Sequence, residues 1–240
     1  RNQSRTFGEL RETSRVIAGR MQRAGLKLGE VVGLTGSPSY SLIAGMLGIL
    51  RAGGVMLTLD CHLPMTRQRL MLTEARAKFV IRAGNTASED AWLSELPNCT
   101  VMHLDAGDEL AITASEPLTG VCGETEIGGD DPAYIFFTSG TTGVPKAVLG
   151  CHKGLSHFLS WQRTTFNVGS HDRCSQLIGL SFDAVLRDIF LPLTSGATLC
   201  LPDVDREDAE ALMAWMKREE ITLTHTVPAV AQNWIGQVRK

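Results

Sequence analysis

No stretch of the chain stays apolar long enough to cross a bilayer. The longest candidate, Leu42 to Leu50, is broken by glycines and falls well short of the ~20 residues that a membrane helix needs. The first residues are polar and basic and lack the apolar centre of a secretory signal. An excess of one charge is also missing: 23 Lys and Arg stand against 26 Asp and Glu, for a net charge of −3, with no block of like charges. Such a balance offers no basic face to a nucleic acid, so neither nucleic acid nor membrane is an expected partner. The six cysteines, at positions 61, 99, 122, 151, 174 and 200, include no C-x-x-C pair. Cys61 with His62, Cys99 with His103 and Cys151 with His152 are near neighbours, yet none has the paired spacing of a structural zinc site, and no metal ligand is assigned. The thiols read as reduced and mostly buried, in keeping with a cytoplasmic protein. Internal repeats and low-complexity tracts are absent too.

What is present is enough apolar material for a substantial core, 43% of 240 residues, arranged as short strands alternating with amphipathic helices. Thr6 to Glu9 forms a capping box, opening a helix whose Leu10, Ser14, Ile17, Met21 and Ala24 share one face before Gly25 stops it. Strands are expected at Val31–Leu34, Val55–Leu59, Phe79–Ile81, Val101–Leu104, Tyr134–Phe137, Cys174–Ile178, Ala197–Leu201 and Ile221–Thr224. Helices are expected at Ser39–Ala52, from a cap near Thr66, after Lys153, through Arg187, and at Arg206–Glu219. Serial units of this kind predict an α/β fold of largely parallel sheets flanked by helices. The polar stretch Ala106 to Asp131 reads as a connection between lobes, giving a first α/β lobe at 1–115 and a second at 116–240.

The most informative segment is Thr138 to Lys146, Thr-Ser-Gly-Thr-Thr-Gly-Val-Pro-Lys, which follows the apolar run Ala133 to Phe137. Gly140 and Gly143 let the backbone approach a ligand closely. The hydroxyls of Thr138, Ser139, Thr141 and Thr142, with backbone N–H groups, can donate to phosphate oxygens, and Lys146 adds a mobile cation. A polar surface turn is the plain alternative. The Walker A loop fits poorly: counted from Gly140, Pro145 stands where that motif needs Gly, and Ala147 where it needs Ser or Thr.

In these residues the chain resembles the adenylate-forming enzymes, which include acyl-CoA synthetases, luciferases and the adenylation domains of nonribosomal peptide synthetases. Thr6–Leu10, Leu50–Asp60 and Phe182-Asp183-Ala184 match further motifs of that pattern in order. Ala147 departs from its usual Gly, while His152 stands where the pattern has a His. The resemblance implies a layered large-subdomain architecture and ATP-dependent activation of a carboxylate, with Mg²⁺ sharing the phosphate charge. Lys146 and Thr142 are the expected catalytic groups, and Thr138, Ser139, Gly140, Thr141 and Gly143 complete the ATP-binding set. It also places Phe182, Asp183, Arg187 and His225 in the substrate pocket, with Asp183 matching the carboxylate that binds an amino acid's ammonium group. Arg187 and His225 imply an extra anionic group on the substrate. The run Arg187-Asp188-Ile189-Phe190 further resembles the adenylation domain of α-aminoadipate reductase. Plainer readings stand beside these: Asp183 and Arg187, four residues apart on an expected helix, can pair with each other, and His225 can be a satisfied core histidine.

The resemblance further implies transfer of the activated acyl group to phosphopantetheine on a peptidyl carrier domain, with other synthetase modules in the same longer protein; transfer to CoA remains the alternative. An acyl-CoA or aryl-acid ligase, or a non-catalytic nucleotide-binding fragment, would share the loop. The family's later motifs, including its Mg²⁺-holding segment and the catalytic Lys of its C-terminal lid, have no counterpart before Lys240. The 240 residues are therefore expected to be inactive alone.

Overall fold

The computed structural model describes residues 3–84, 91–96, 99–106, 110–114, 125–138 and 145–238. They fall into two compact units, 1–154 and 155–240. The first opens with α1 (Phe7–Arg23), whose capping box is complete: Thr6 Oγ1 accepts from Glu9 N–H, and the Glu9 carboxylate accepts from Thr6 N–H. After β1 (Val31–Gly36) comes α2 (Tyr40–Arg51), capped by Ser39. The chain continues through β2 (Val55–Leu59), α3 (Met65–Glu74), β3 (Phe79–Ala83), a short 3₁₀ turn at Ala91–Glu95, and β4 (Thr100–Ala106). It then adds β5 (Leu110–Ala114), β6 (Pro132–Thr138) and β7 (Lys146–Cys151).

These strands form one seven-stranded sheet in the order β5-β4-β3-β1-β2-β6-β7. The inner pairs are parallel, and both edges, β4/β5 and β6/β7, are antiparallel. Adjacent residues of β1 show how helices cover both faces, because successive side chains on a strand point opposite ways. A Cβ on Gly33 would lie 2.7 Å from Leu72 of α3, whereas Leu34 reaches to within 3.1 Å of where a Cβ on Gly45 of α2 would be. Around the α3 face, Leu57, Leu59, Leu72, Val80, Trp92 and Ile135 build a continuous apolar cluster.

The second unit takes up most of α4 (His152–Thr165) and continues with β8 (Arg173–Ser175), α5 (Val185–Ser195), β9 (Thr198–Cys200), α6 (Ala209–Arg218) and α7 (Pro228–Val238). β8 and β9 pair in parallel, and Cys200, Leu212, Trp215 and Trp234 form its apolar cluster. No helix among the described residues is long and apolar enough to cross a membrane.

Several expectations change. The division by packing falls after 154 rather than at 115, because β6 pairs with β2 and carries β7 into the first sheet. The stretch read as a polar connection contains β5, whose register runs from Ala106↔Leu110 to Met102↔Ala114. α3 starts one residue before Thr66, after Pro64 and without a side-chain cap. The strand expected over Cys174–Ile178 ends at Ser175, since the N–H groups of Leu177 and Ile178 are taken by Asp188. The segment Ile221–Thr224 contributes an isolated bridge, Cys174↔Leu223, rather than a strand.

Candidate functional site

The first group of candidate residues sits on the β6–β7 hairpin. Thr138 ends β6 and Lys146 starts β7, and the two are register partners, with Thr138 Oγ1 donating to the Lys146 carbonyl at 3.5 Å. The phosphate-loop sequence therefore joins two antiparallel strands, whereas a Walker A loop runs from a strand into a helix. Ser139, Gly140, Thr141, Thr142 and Gly143 lie outside the described residues. The ends of the loop are described: Thr138 and Lys146 are both exposed. The hairpin is locked from behind by Tyr134, whose ring lies so close to Gly150 that a Cβ there would be 2.0 Å from Cζ. Only glycine lets the ring cross the backbone at that point.

His152 follows β7 directly as the first residue of α4, and its N–H donates to the Asp131 carbonyl at 3.2 Å. Its Nε2 is buried without a hydrogen-bond partner among the described residues. Burial pushes its pKa below the ordinary imidazole value, against a smaller opposing pull from Asp131. Elsewhere in this unit, Asp60, Cys61 and His62 gather three ligand-type atoms within 4.8 Å of one another. Burial and the Asp60 charge push the Cys61 thiol up, away from the thiolate that a metal prefers.

The second group lies in the second unit. Phe182 is 65% exposed, in a turn that closes through Val185 N–H to the Phe182 carbonyl and Leu186 N–H to the Asp183 carbonyl. Asp183 thus precedes α5, which starts at Val185, and is exposed. The plainer alternative, a helical i,i+4 bridge between Asp183 and Arg187, is absent from the ion pairs among the described residues, because Asp183 sits in the turn and only Arg187 on the helix. Arg187 is half-buried, with its Nε enclosed and lacking a hydrogen-bond partner among the described residues.

His225 has a partner that sequence reasoning left without a role. Its Nδ1 lies 3.0 Å from Oδ1 of Asp188, whose side chain is 0% exposed. Asp188 Oδ2 accepts from the N–H groups of Leu177 at 3.1 Å and Ile178 at 3.0 Å. Arg206 braces the same turn, donating to Gln176 Oε1 at 2.7 Å and to the Leu177 carbonyl at 3.4 Å. A signal for Asp188 was available: it is an acid in the buried stripe Val185, Leu186, Asp188, Ile189, Phe190, and such a residue needs internal donors.

Comparison with known proteins gives this geometry a setting. The family model described as "AMP-binding enzyme" matches residues 1–240. L-2-aminoadipate reductase large subunit of Candida glabrata is 31% identical over 251 residues, covering 95% of this chain and 18% of the reductase. Tyrocidine synthase 3 of Brevibacillus parabrevis is 32% identical over 234 residues, covering 96% of this chain and 4% of the synthase. The chain thus spans only a small part of these relatives. Among solved structures, the nonribosomal peptide synthetase FmoA3 in an AMPPNP-bound form superposes with a TM-score of 0.77 at 30% identity, covering 98% of this chain and 24% of that one. The mostly parallel sheet flanked by helices is an α/β fold matching the adenylate-forming domain structures of nonribosomal peptide synthetases.

Proposed function

Since the chain belongs to the AMP-binding enzyme family, we propose that the protein containing it activates an amino acid with an additional carboxylate by adenylation. A substrate carboxylate oxygen attacks the α-phosphorus of ATP, the bond from that phosphorus to the bridging oxygen breaks, and pyrophosphate leaves as the aminoacyl adenylate forms. The electrostatic problem is the approach of an anion to a polyanion, so positioning and charge neutralisation carry the reaction. In this reading Lys146 and Thr142 act on the phosphates, and Thr138, Ser139, Gly140, Thr141 and Gly143 complete the cradle. Mg²⁺ would supply further neutralisation of the triphosphate. The acyl group then passes to the phosphopantetheine thiol of a carrier domain, forming a thioester and releasing AMP, with other synthetase modules as partners. Cytoplasmic location belongs to the same reading.

The observation that carries the substrate assignment is the lack of an Asp183–Arg187 bridge. Asp183 stays exposed, and Arg187 keeps a buried Nε with no partner among the described residues. An exposed carboxylate suits an ammonium group, and an unpaired guanidinium suits a carboxylate. Phe182 would flank them, with His225 completing the set. The likeness to aminoadipate reductases supports the version in which this pair holds the α-amino and α-carboxylate groups while the distal carboxylate is activated.

Amino-acid-dependent ATP–pyrophosphate exchange by the full-length protein tests the proposal. Aminoadipate, glutamate or aspartate should give the highest rates, and Asp183→Ala should abolish the response to the preferred one. A preference for a large apolar amino acid would overturn the acidic-substrate assignment, and a preference for aryl or fatty acids would overturn amino-acid activation altogether. Residues 1–240 alone should support no exchange; robust exchange by them would contradict this.

A further inference from the structure

Asp188 sits at the one place in α5 where the apolar stripe is interrupted, and it is 1% exposed. A carboxylate in such a position costs several kcal/mol unless its oxygens are fully engaged. Here they are engaged from three directions. Leu177 and Ile178 supply two backbone N–H donors to Oδ2, which fixes the plane of the carboxylate and leaves Oδ1 facing Nδ1 of His225 at 3.0 Å. A carboxylate offers acceptors only, so the proton in that contact belongs to the imidazole and Nδ1 is the donor. The bond therefore settles both the rotation of the ring and which nitrogen is committed. Nε2 is the nitrogen left over, without a partner among the described residues, on a side chain that is 14% exposed.

Asp188 is also the immediate neighbour of Arg187. One buried carboxylate thus ties the helix carrying Arg187 to the segment carrying His225 and to the turn that follows β8. We propose that Asp188 is a positioning residue for substrate recognition: it holds His225 with Nδ1–H turned inward and reserves Nε2 as the ring atom that meets the amino acid. This rests on the placement of His225 in the substrate pocket. A purely structural staple would bring the three segments together equally well but would have no reason to govern the substrate through one ring nitrogen.

Asp188→Asn separates the two roles. The Leu177 and Ile178 N–H groups would keep the amide oxygen, so the amide NH₂ would face Nδ1 and force it to become an acceptor, moving the ring proton to Nε2. The measurement is ¹⁵N NMR of the full chain labelled at histidine, at about pH 8.5, where an ordinary imidazole is neutral; the signal missing from His225→Gln identifies the residue. Wild type should show Nδ1 protonated, and Asp188→Asn should show it bare. In the full-length protein the same variant should raise KM for the preferred amino acid about tenfold, the loss of one aligned hydrogen bond, and leave KM for ATP unchanged.

A bare Nδ1 in wild type overturns the proposal, and that experiment needs no variant to fold. A protonated Nδ1 in an Asp188→Asn protein that melts like wild type also overturns it. If the proton moves and KM for the amino acid holds, the hold of Asp188 on the ring stands and the placement of His225 in the pocket is what fails.

Discussion

The β6–β7 hairpin and the Asp188 junction are made of opposite materials. The hairpin is a backbone ladder, locked by an aromatic ring laid over Gly150, and its cation, Lys146, stands in solvent at the end of the register. The junction in the second unit is a fully enclosed carboxylate with three donors drawn from residues 177, 178 and 225. In the hairpin the charged group is separable from what holds the structure up. In the junction the charged group is what holds the structure up, so a substitution that removes both carboxylate oxygens changes stability together with chemistry.

The strongest test of that contrast is Asp188→Ala. It orphans two buried N–H groups and the imidazole, and should lower the free energy of unfolding in urea by about 4 kcal/mol. A loss comparable to a surface substitution would erase the distinction. Lys146→Ala should behave in the reverse way. In the full-length protein, exchange should fall about 100-fold, equivalent to ~3 kcal/mol of transition-state stabilisation, while the urea midpoint stays in place because the side chain is exposed. Gly150→Ala probes the lock behind the hairpin and should destabilise by about 2 kcal/mol as Tyr134 is displaced; an unchanged melting temperature would show that the ring yields freely.

The smallest effects are those of pH, and they divide the units. Burial lowers the pKa of His152, so the folded state binds that proton less well than the unfolded chain. Stability from this source is complete above the ordinary imidazole value of about 6.5 and declines as pH falls below it. In the second unit, Gly169 N–H and the Thr222 hydroxyl hold Asp172 below the usual carboxylate range. Its contribution is present above about pH 3.9 and is lost as pH falls through the lowered value. His152→Asn should flatten the first decline and leave the second, as followed by thermal melts across pH.

The same contrast explains what could be read from the residues. The capping box of α1 and the strand Val55–Leu59 were legible because local chemistry and apolar periodicity agree with the fold. β7 was not, since Lys146 to Leu149 are all exposed and carry no alternation of buried and solvent-facing positions; that strand exists through its pairing with β6. Arg187 and His225 came forward through the resemblance to adenylate-forming enzymes, and their place in a substrate pocket stands as a proposal. For Asp188 the apolar stripe marks a buried acid in need of internal donors, but its partners lie 10, 11 and 37 residues away, and nothing local says which groups they are. Cysteine chemistry was legible only in outline: burial pushes the Cys174 thiol up to about 12 and Cys99 to about 11, making both poor nucleophiles.

With His225 in the pocket, as proposed, its tie to Asp188 also limits how specificity could be rewritten. Placing an apolar residue at 225 would withdraw one of the three donors from a carboxylate that has no route to water. A redesigned pocket therefore has to change 188 along with 225, and the two substitutions should show strong coupling in a double-mutant cycle. Apolar variants at position 225 alone would carry a folding defect that hides any gain in the new specificity.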